Sequence, residues 1–266
     1  MLFSCFIICL YGIFQYLFGF RYVLELLREQ RIVYPFAVEW LNRKRIFATF
    51  FSPNAYAGYL TMLLPLCVYV RRIEKKDLSV RLFLIIMALC ITNLILTFSL
   101  GGICSILLAC LCILVLKKQK KHTSLSISIA IFIVLLVLLY SRYQSNSALL
   151  NPTLSYTHRL LYYKEALSMV ARQPWRGIGI GNFEGKSSLF VHNSYLQIWI
   201  EMGFVGFVAF ISLVGIAMKK GIQRINAQSG LFCAFIAFAI DNLLSFTFYL
   251  PETSWIWWIV VGFIVC

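Results

Sequence analysis

The chain has 266 residues, 61% of them hydrophobic and only 13% charged, with a mean hydropathy of +0.84. That balance excludes a soluble globular domain and indicates a polytopic membrane protein. The formal charge of +14 then reads as loop charge facing membrane surfaces and anionic lipid, not as a nucleic-acid footprint.

Apolar runs of about 20 residues mark membrane spans. In chain order they fall near 1–20, 47–70, 82–98, 101–116, 125–140, 194–218, 230–250 and 254–266. Residues 2–20 lack a positive leader and a small-residue cleavage site, so they read as a membrane helix and not a signal peptide. Asn54 follows Ser52-Pro53 and opens the second span as an N-terminal turn residue. The apolar run from Leu82 to Leu116 is 35 residues long, too long for one crossing. Ser99-Leu100-Gly101-Gly102 supplies a tight turn within it. Residues 71–81 and 117–122 flank this hairpin and are both basic, so they belong on one side.

Those two loops and 219–224 together carry 12 Lys and Arg in 23 residues. The opposite loops, 21–45 and 141–192, carry the same number in 77 residues. Density places the short loops and the N-terminus in the cytoplasm, although Arg21 argues the other way. Loop 141–192 is then extracytoplasmic. The last run has 13 residues, too short to cross alone. Either Pro251 is a gentle bend in a longer helix or the chain is truncated, and truncation is the expectation. The nine cysteines all lie in apolar segments, which suggests neither a disulfide framework nor a zinc site; they read as small buried hydrophobes. Trp255, Trp257 and Trp258 read as an interfacial aromatic belt. The fold expected is an all-α polytopic transmembrane bundle of about eight spans, a single membrane domain over 1–266. Its one long outer loop carries an amphipathic helix.

That helix runs from a cap at Thr157 to about Ala171, with Leu160, Tyr163, Leu167 and Val170 on one face. Such a helix suits the bilayer surface. Pro174 stops it, and Gly177, Gly179 and Gly181 make a turn. The loop has a net charge of +4. Its arginines, among them Arg159 and Arg176, suit bidentate binding of phosphate, or else snorkel from an interfacial helix. His192 stands at the water-facing end of the sixth span, followed by Asn193. Imidazole exchanges protons near neutral pH, and the amide can orient a hydroxyl or phosphate; the alternative is a histidine that caps the helix. Glu201 and Asp241 are carboxylates inside spans, where ionisable groups are functional by default. Glu201 lies about 13–14 Å beyond His192 at the helical rise, so it reads as a partner for a neighbouring helix.

These residues resemble the O-antigen ligase and polymerase family of bacterial inner-membrane enzymes. IFATFFSPNAYAGYLTMLLPL (46–66) is similar to its T-F-x-x-P-N-x-x-A-x-Y-L segment. HRLLYYKEAL with QPWRGIGIGNF (158–183) is similar to R-x-x-x-W-x-x-A-L followed by P-x-x-G-x-G-x-G-x-F. HNSYLQIWIEMGFVGF (192–207) is similar to H-N-x-Y-L-x-x-x-x-E-x-G-x-x-G, and YGIFQY (11–16) fits the preceding helix. The resemblance implies transfer of an undecaprenyl-pyrophosphate-linked glycan to an acceptor hydroxyl at the periplasmic face of the inner membrane, in lipopolysaccharide or polysaccharide biosynthesis. No cofactor or metal is implied. The acceptor is lipid A-core or another glycan or protein, membrane lipids surround the site, and no nucleic acid is a partner. It carries a functional Arg onto Arg159 and a functional His onto His192 as catalytic residues. Arg176, Asn193, Gly181 and Asn54 become substrate-binding candidates, and Glu201 a motif position. One departure stands out: the family's Ser-Arg-Gly is Ser99-Leu100-Gly101 here, so a cation is missing near the pyrophosphate, for which another Arg substitutes or activity is weakened. Polymerase and protein O-oligosaccharyltransferase readings differ only in acceptor. A transporter reading ranks lower, because transporters put ionisable groups near mid-membrane. A degenerate, inactive relative is the third alternative.

Overall fold

The computed structural model describes residues 2–29, 40–73, 79–117, 140, 152–183, 185 and 190–266. Almost all of the span expected at 125–140 lies outside them. Among the described residues every regular element is helical: α1 (Leu2–Phe14), a π-helical turn (Gln15–Gly19), α2 (Phe20–Glu29), α3 (Pro53–Ile73), α4 (Val80–Leu96), α5 (Leu100–Leu116), α6 (Pro152–Arg172), α7 (Ser194–Gln223), α8 (Ile225–Asp241), a 3-10 turn (Thr247–Tyr249) and α9 (Pro251–Val265). Leu2–Glu25 and Ser194–Gln223 are long and apolar enough to cross a membrane.

Helix α8 sits at the centre, packed along α3 and α5, with α1 against α4 on one flank and α9 on the other. One core gathers Tyr56, Leu60 and Leu63 of α3 with Ile86 and Leu94 of α4. The second stacks Phe232, Phe235 and Phe238 of α8 on Trp257, Val260 and Ile264 of α9. In lipid, helices gain little from burying apolar area against one another, so close approach at small residues matters more. A Cβ on Gly102 would lie 2.8 Å from that of Ala57, and one on Gly230 would lie 2.7 Å from the Pro65 carbonyl oxygen.

The two ends of the bundle are chemically unlike. At one end the Ile46 N–H bonds the Leu96 carbonyl at 3.2 Å and the Ser194 N–H bonds the Asn242 carbonyl at 3.0 Å. There the π-helical turn aims the buried Gln15 amide so that its oxygen accepts the Phe47 and Ala48 N–H groups at 2.9 and 3.0 Å. At the other end the Arg72 guanidinium donates to the Asn226 carbonyl at 3.1 Å. The basic end of α3 therefore meets the first turn of α8, which directly follows the basic end of α7.

Several expectations are corrected. The 82–116 hairpin turns at Thr97–Ser99, where Phe98 takes φ 50° and the Ser99 hydroxyl caps α5 by accepting the Gly102 N–H at 3.4 Å. Leu100, Gly101 and Gly102 thus form the first turn of α5, where the glycines serve close packing. The 230–250 run is not one span: α8 ends at Asp241, and residues 242–250 are irregular or 3-10. Pro251 is not a bend but opens α9 at its first turn, where its missing N–H costs nothing. Helix α6 starts at Pro152, so Thr157 lies within it. Its expected face is divided: Val170 packs inward beside Ala166, while Leu160 and Leu167 are exposed.

Candidate functional site

The glycine-rich turn is explained by the helix it touches. Within α7, Gly203 takes φ 71° and ψ −178°, which breaks the helix after Met202. Only glycine enters that region without strain. The break exposes main-chain groups that the 174–179 segment satisfies. The Ile178 N–H bonds the Ile200 carbonyl at 2.8 Å, the Gly179 N–H the Glu201 carbonyl at 2.9 Å, and the Phe204 N–H the Pro174 carbonyl at 2.9 Å. A Cβ on Gly203 would collide with the Trp175 carbonyl oxygen, and one on Gly177 would lie 2.5 Å from the Glu201 carbonyl oxygen. The two glycines are mutually required. Glu201 is buried, and its carboxylate accepts the Gly181 N–H at 3.2 Å and the Gln197 amide at 3.0 Å. Its partners are therefore the glycine turn, its own helix and, from the 3-10 turn that precedes α9, the Tyr249 side chain. The Gly181 N–H, offered from the sequence to substrate, is engaged by Glu201.

The His-Asn-Ser-Tyr string divides its work. Asn193 is the helix cap, its side-chain oxygen accepting the Leu196 N–H at 3.0 Å. Ser194 anchors the strap to the end of α8, donating its hydroxyl to the Asn242 side-chain oxygen at 2.7 Å. The Tyr195 hydroxyl reaches the Ala239 carbonyl at 2.8 Å. Gln197 turns back to accept the Val191 N–H at 3.2 Å. His192 is left out of this framework, held at φ 58°. It is not the cap; the strap projects it.

His192 projects into an aromatic slot. Its ring stacks on Tyr162 of α6, with centroids 5.4 Å apart and planes at 27°, and meets the edge of Phe246 at 5.0 Å and 81°. Phe190 stacks on the other side of Phe246 at 4.2 Å. One helical turn from Tyr162, Arg159 lies within electrostatic reach of both His192 and Asp241. Burial pushes the Arg159 guanidinium down from its usual value, opposed by Tyr163, Asp241 and Tyr162. Burial, and then the Arg159 charge, push His192 down from 6.5 to about 4. Its imidazole is therefore unprotonated, and able to accept a proton, across the neutral range.

Asp241 completes the cluster, and sequence reasoning named it only as an intramembrane carboxylate. It is buried, and one oxygen accepts the Ser245 hydroxyl at 2.7 Å and the Thr247 hydroxyl at 3.4 Å. That same oxygen lies 2.9 Å from where a Cβ on Gly58 would stand, and the other oxygen 3.7 Å from one on Gly101. The legible signal was the polar string Asp241-Asn242, Ser245 and Thr247 interrupting an apolar run.

Asn54 and Arg176 sit differently. The Asn54 side-chain oxygen accepts the buried Arg45 guanidinium at 3.0 Å, and Arg45 Nε donates to the Thr97 carbonyl at 2.8 Å. Arg45 thus clamps the hairpin turn that adjoins Leu100. Arg176 is exposed in a shallow depression of about 410 Å³ lined by Arg172, Gln173, Pro174 and Trp175.

A family model described as O-Antigen ligase matches residues 82–211. The matched stretch contains Arg159, Arg176, Gly181, His192, Asn193 and Glu201, and ends before Asp241. No curated protein matches the chain. The match supports glycan transfer of the O-antigen ligase or polymerase type in general, with a lipid-linked glycan as donor and a glycan as acceptor, and the apolar helices are consistent with a membrane-integral protein. The glycine turn, the histidine strap and the Glu-x-Gly break of α7 all lie inside the matched segment, and over that segment the chain is similar to the O-antigen ligase family.

Proposed function

We propose that the chain transfers a glycan from undecaprenyl pyrophosphate to an acceptor hydroxyl at the periplasmic face of the inner membrane. The observation that carries this reading is the convergence of Arg159, His192 and Asp241 at the end of the bundle opposite its basic loops. As the sugar C–O bond breaks, negative charge grows on the pyrophosphate, and Arg159 neutralises it. His192 takes the proton of the acceptor hydroxyl. Before the donor binds, the Arg159 charge opposes protonation of His192. A bound pyrophosphate masks that charge, so the base strengthens when there is something to deprotonate. Asp241, which interacts with Arg159, favours the charged guanidinium. Direct attack of the hydroxyl opposite the leaving group inverts the anomeric carbon.

Leu100 in place of the family's Arg leaves Arg159 as the clamp in this reading, because Arg45 is held by Thr97 and Asn54. Asn193, Gly181 and Asn54 then act on substrate only through the loops they hold in place, and Arg176 binds headgroup or donor phosphate at the surface. The test is transfer by the purified protein from a lipid-linked oligosaccharide to a panel of lipid A-core, glycan and peptide acceptors. Release of pyrophosphate-lipid coupled to a glycosylated acceptor supports the reading, and the acceptor used separates ligase from polymerase or protein glycosylation. Donor binding without transfer to any acceptor would sink it in favour of an inactive relative, and movement of intact donor across vesicles would favour a transporter.

A further inference from the structure

Four of the cysteines expected to be separate small hydrophobes are brought together. Cys5 and Cys9 lie one turn apart on the same face of α1, and Cys90 of α4 approaches both, at 3.2 Å from Cys5 and 3.8 Å from Cys9. All three sulfurs lie within 4.8 Å of one another. The Cys67 thiol of α3 interacts with Cys5 and Cys90 from a third helix. All four residues are fully buried. Simple space-filling does not require sulfur atoms from three helices to point at one another. A tetrahedral thiolate centre with bonds of about 2.3 Å does, since its sulfur–sulfur edges are then about 3.8 Å.

We propose that Cys5, Cys9 and Cys90 bind a thiophilic divalent cation of the Zn2+ class, which staples α1 to α4, with the Cys67 thiol of α3 adjoining the site. A sulfur-only donor set selects such a cation over Mg2+ or Ca2+. Binding is a proton exchange: the three thiols ionise and release three protons, and Cys67 stays a neutral thiol beside them, leaving a net charge of −1. The surroundings disperse that charge, because the Tyr56 hydroxyl points to Cys9 at 3.8 Å. Such outer hydrogen bonds tune thiolate sites. Access is short. Cys5 lies three residues from the start of α1, roughly 4.5 Å along the axis, at the bundle end that carries Arg72.

The experiment is titration of the full chain, purified in detergent under reductant and stripped with chelator, with Co2+ as spectroscopic probe and Zn2+ as competitor. The expected result is one equivalent of Co2+ giving thiolate-to-cobalt charge-transfer and tetrahedral d–d bands, abolished by Zn2+. Those bands are lost in Cys90→Ser and in Cys5→Ala/Cys9→Ala, and kept in Cys112→Ser. Size-exclusion profile and helical circular dichroism report whether each variant is folded; should Cys90→Ser fail to fold, the wild-type titration and the double variant decide. A folded wild type without these bands would overturn the proposal, as would bands that survive in the folded double variant. A Cys5–Cys90 disulfide found by peptide mapping in metal-free protein prepared without reductant would also overturn it, and make the cluster a redox pair.

Discussion

Gly203→Ala isolates the joint between the glycine turn and α7 from any chemistry. At φ 71° and ψ −178° an alanine carries backbone strain of about 1–3 kcal/mol. Its Cβ also meets the Trp175 carbonyl oxygen, so the 174–179 segment must move away and three main-chain hydrogen bonds are put at risk. At about 1 kcal/mol each, the combined cost is roughly 4–6 kcal/mol. That cost falls on the small core of Ala166, Val170, Phe183, Val191 and Ile200, not on the two bundle cores. The expected outcome is local undocking of α6 with the bundle intact. Trypsin cleavage at Arg172 and Arg176 in proteoliposomes reads this directly, because cleavage tracks the population of the open form. Even the lower estimate raises that population about 1,000-fold. Gly215→Ala, whose Cβ would meet nothing within 4 Å, serves as control. Equal protease resistance of Gly203→Ala and wild type would refute the close-approach argument.

His192→Ala and His192→Gln should each lower transfer about 10²–10⁴-fold with insertion and donor binding kept; activity in the Gln variant would reduce His192 to a positioning residue. Because burial and Arg159 hold His192 at about 4, the base form persists as pH falls. The acid limb of kcat/KM should therefore centre near pH 4, and a limb near the ordinary 6.5 would contradict the buried slot. Arg159→Lys keeps charge but loses the bidentate fork; donor-saturated transfer should drop strongly, and full activity would make Arg159 a surface charge. Leu100→Arg, beside the Gly101 that faces Asp241, should raise transfer or leave it unchanged, whereas a strong loss would show that this turn does not adjoin the donor.

The all-helical class was legible because it rests on composition and local pattern. The hairpin turn was misplaced by two residues because glycine signals both turns and close helix contacts, and nothing local separates Gly102 packed on Ala57 from a glycine in a turn. The division within His-Asn-Ser-Tyr was invisible for a related reason: Asn193 and His192 are both plausible caps until the backbone fixes one of them at φ 58°. Asp241 joined the site only through its electrostatic interaction with Arg159, across 82 residues that no periodicity encodes. The thiol cluster was missed because its members come from three helices with no short spacing beyond Cys5 and Cys9.

The carboxylate of Asp241 occupies the volume that a side chain at position 58 would otherwise fill. A saturation scan of this gene would accordingly score Gly58 as intolerant as the charged group it accommodates, although no atom of Gly58 touches substrate or moves a proton. Intolerance at that position measures room left for a neighbour. A map of reactive groups inferred from such a scan would thus be larger than the true one by the glycines that line it.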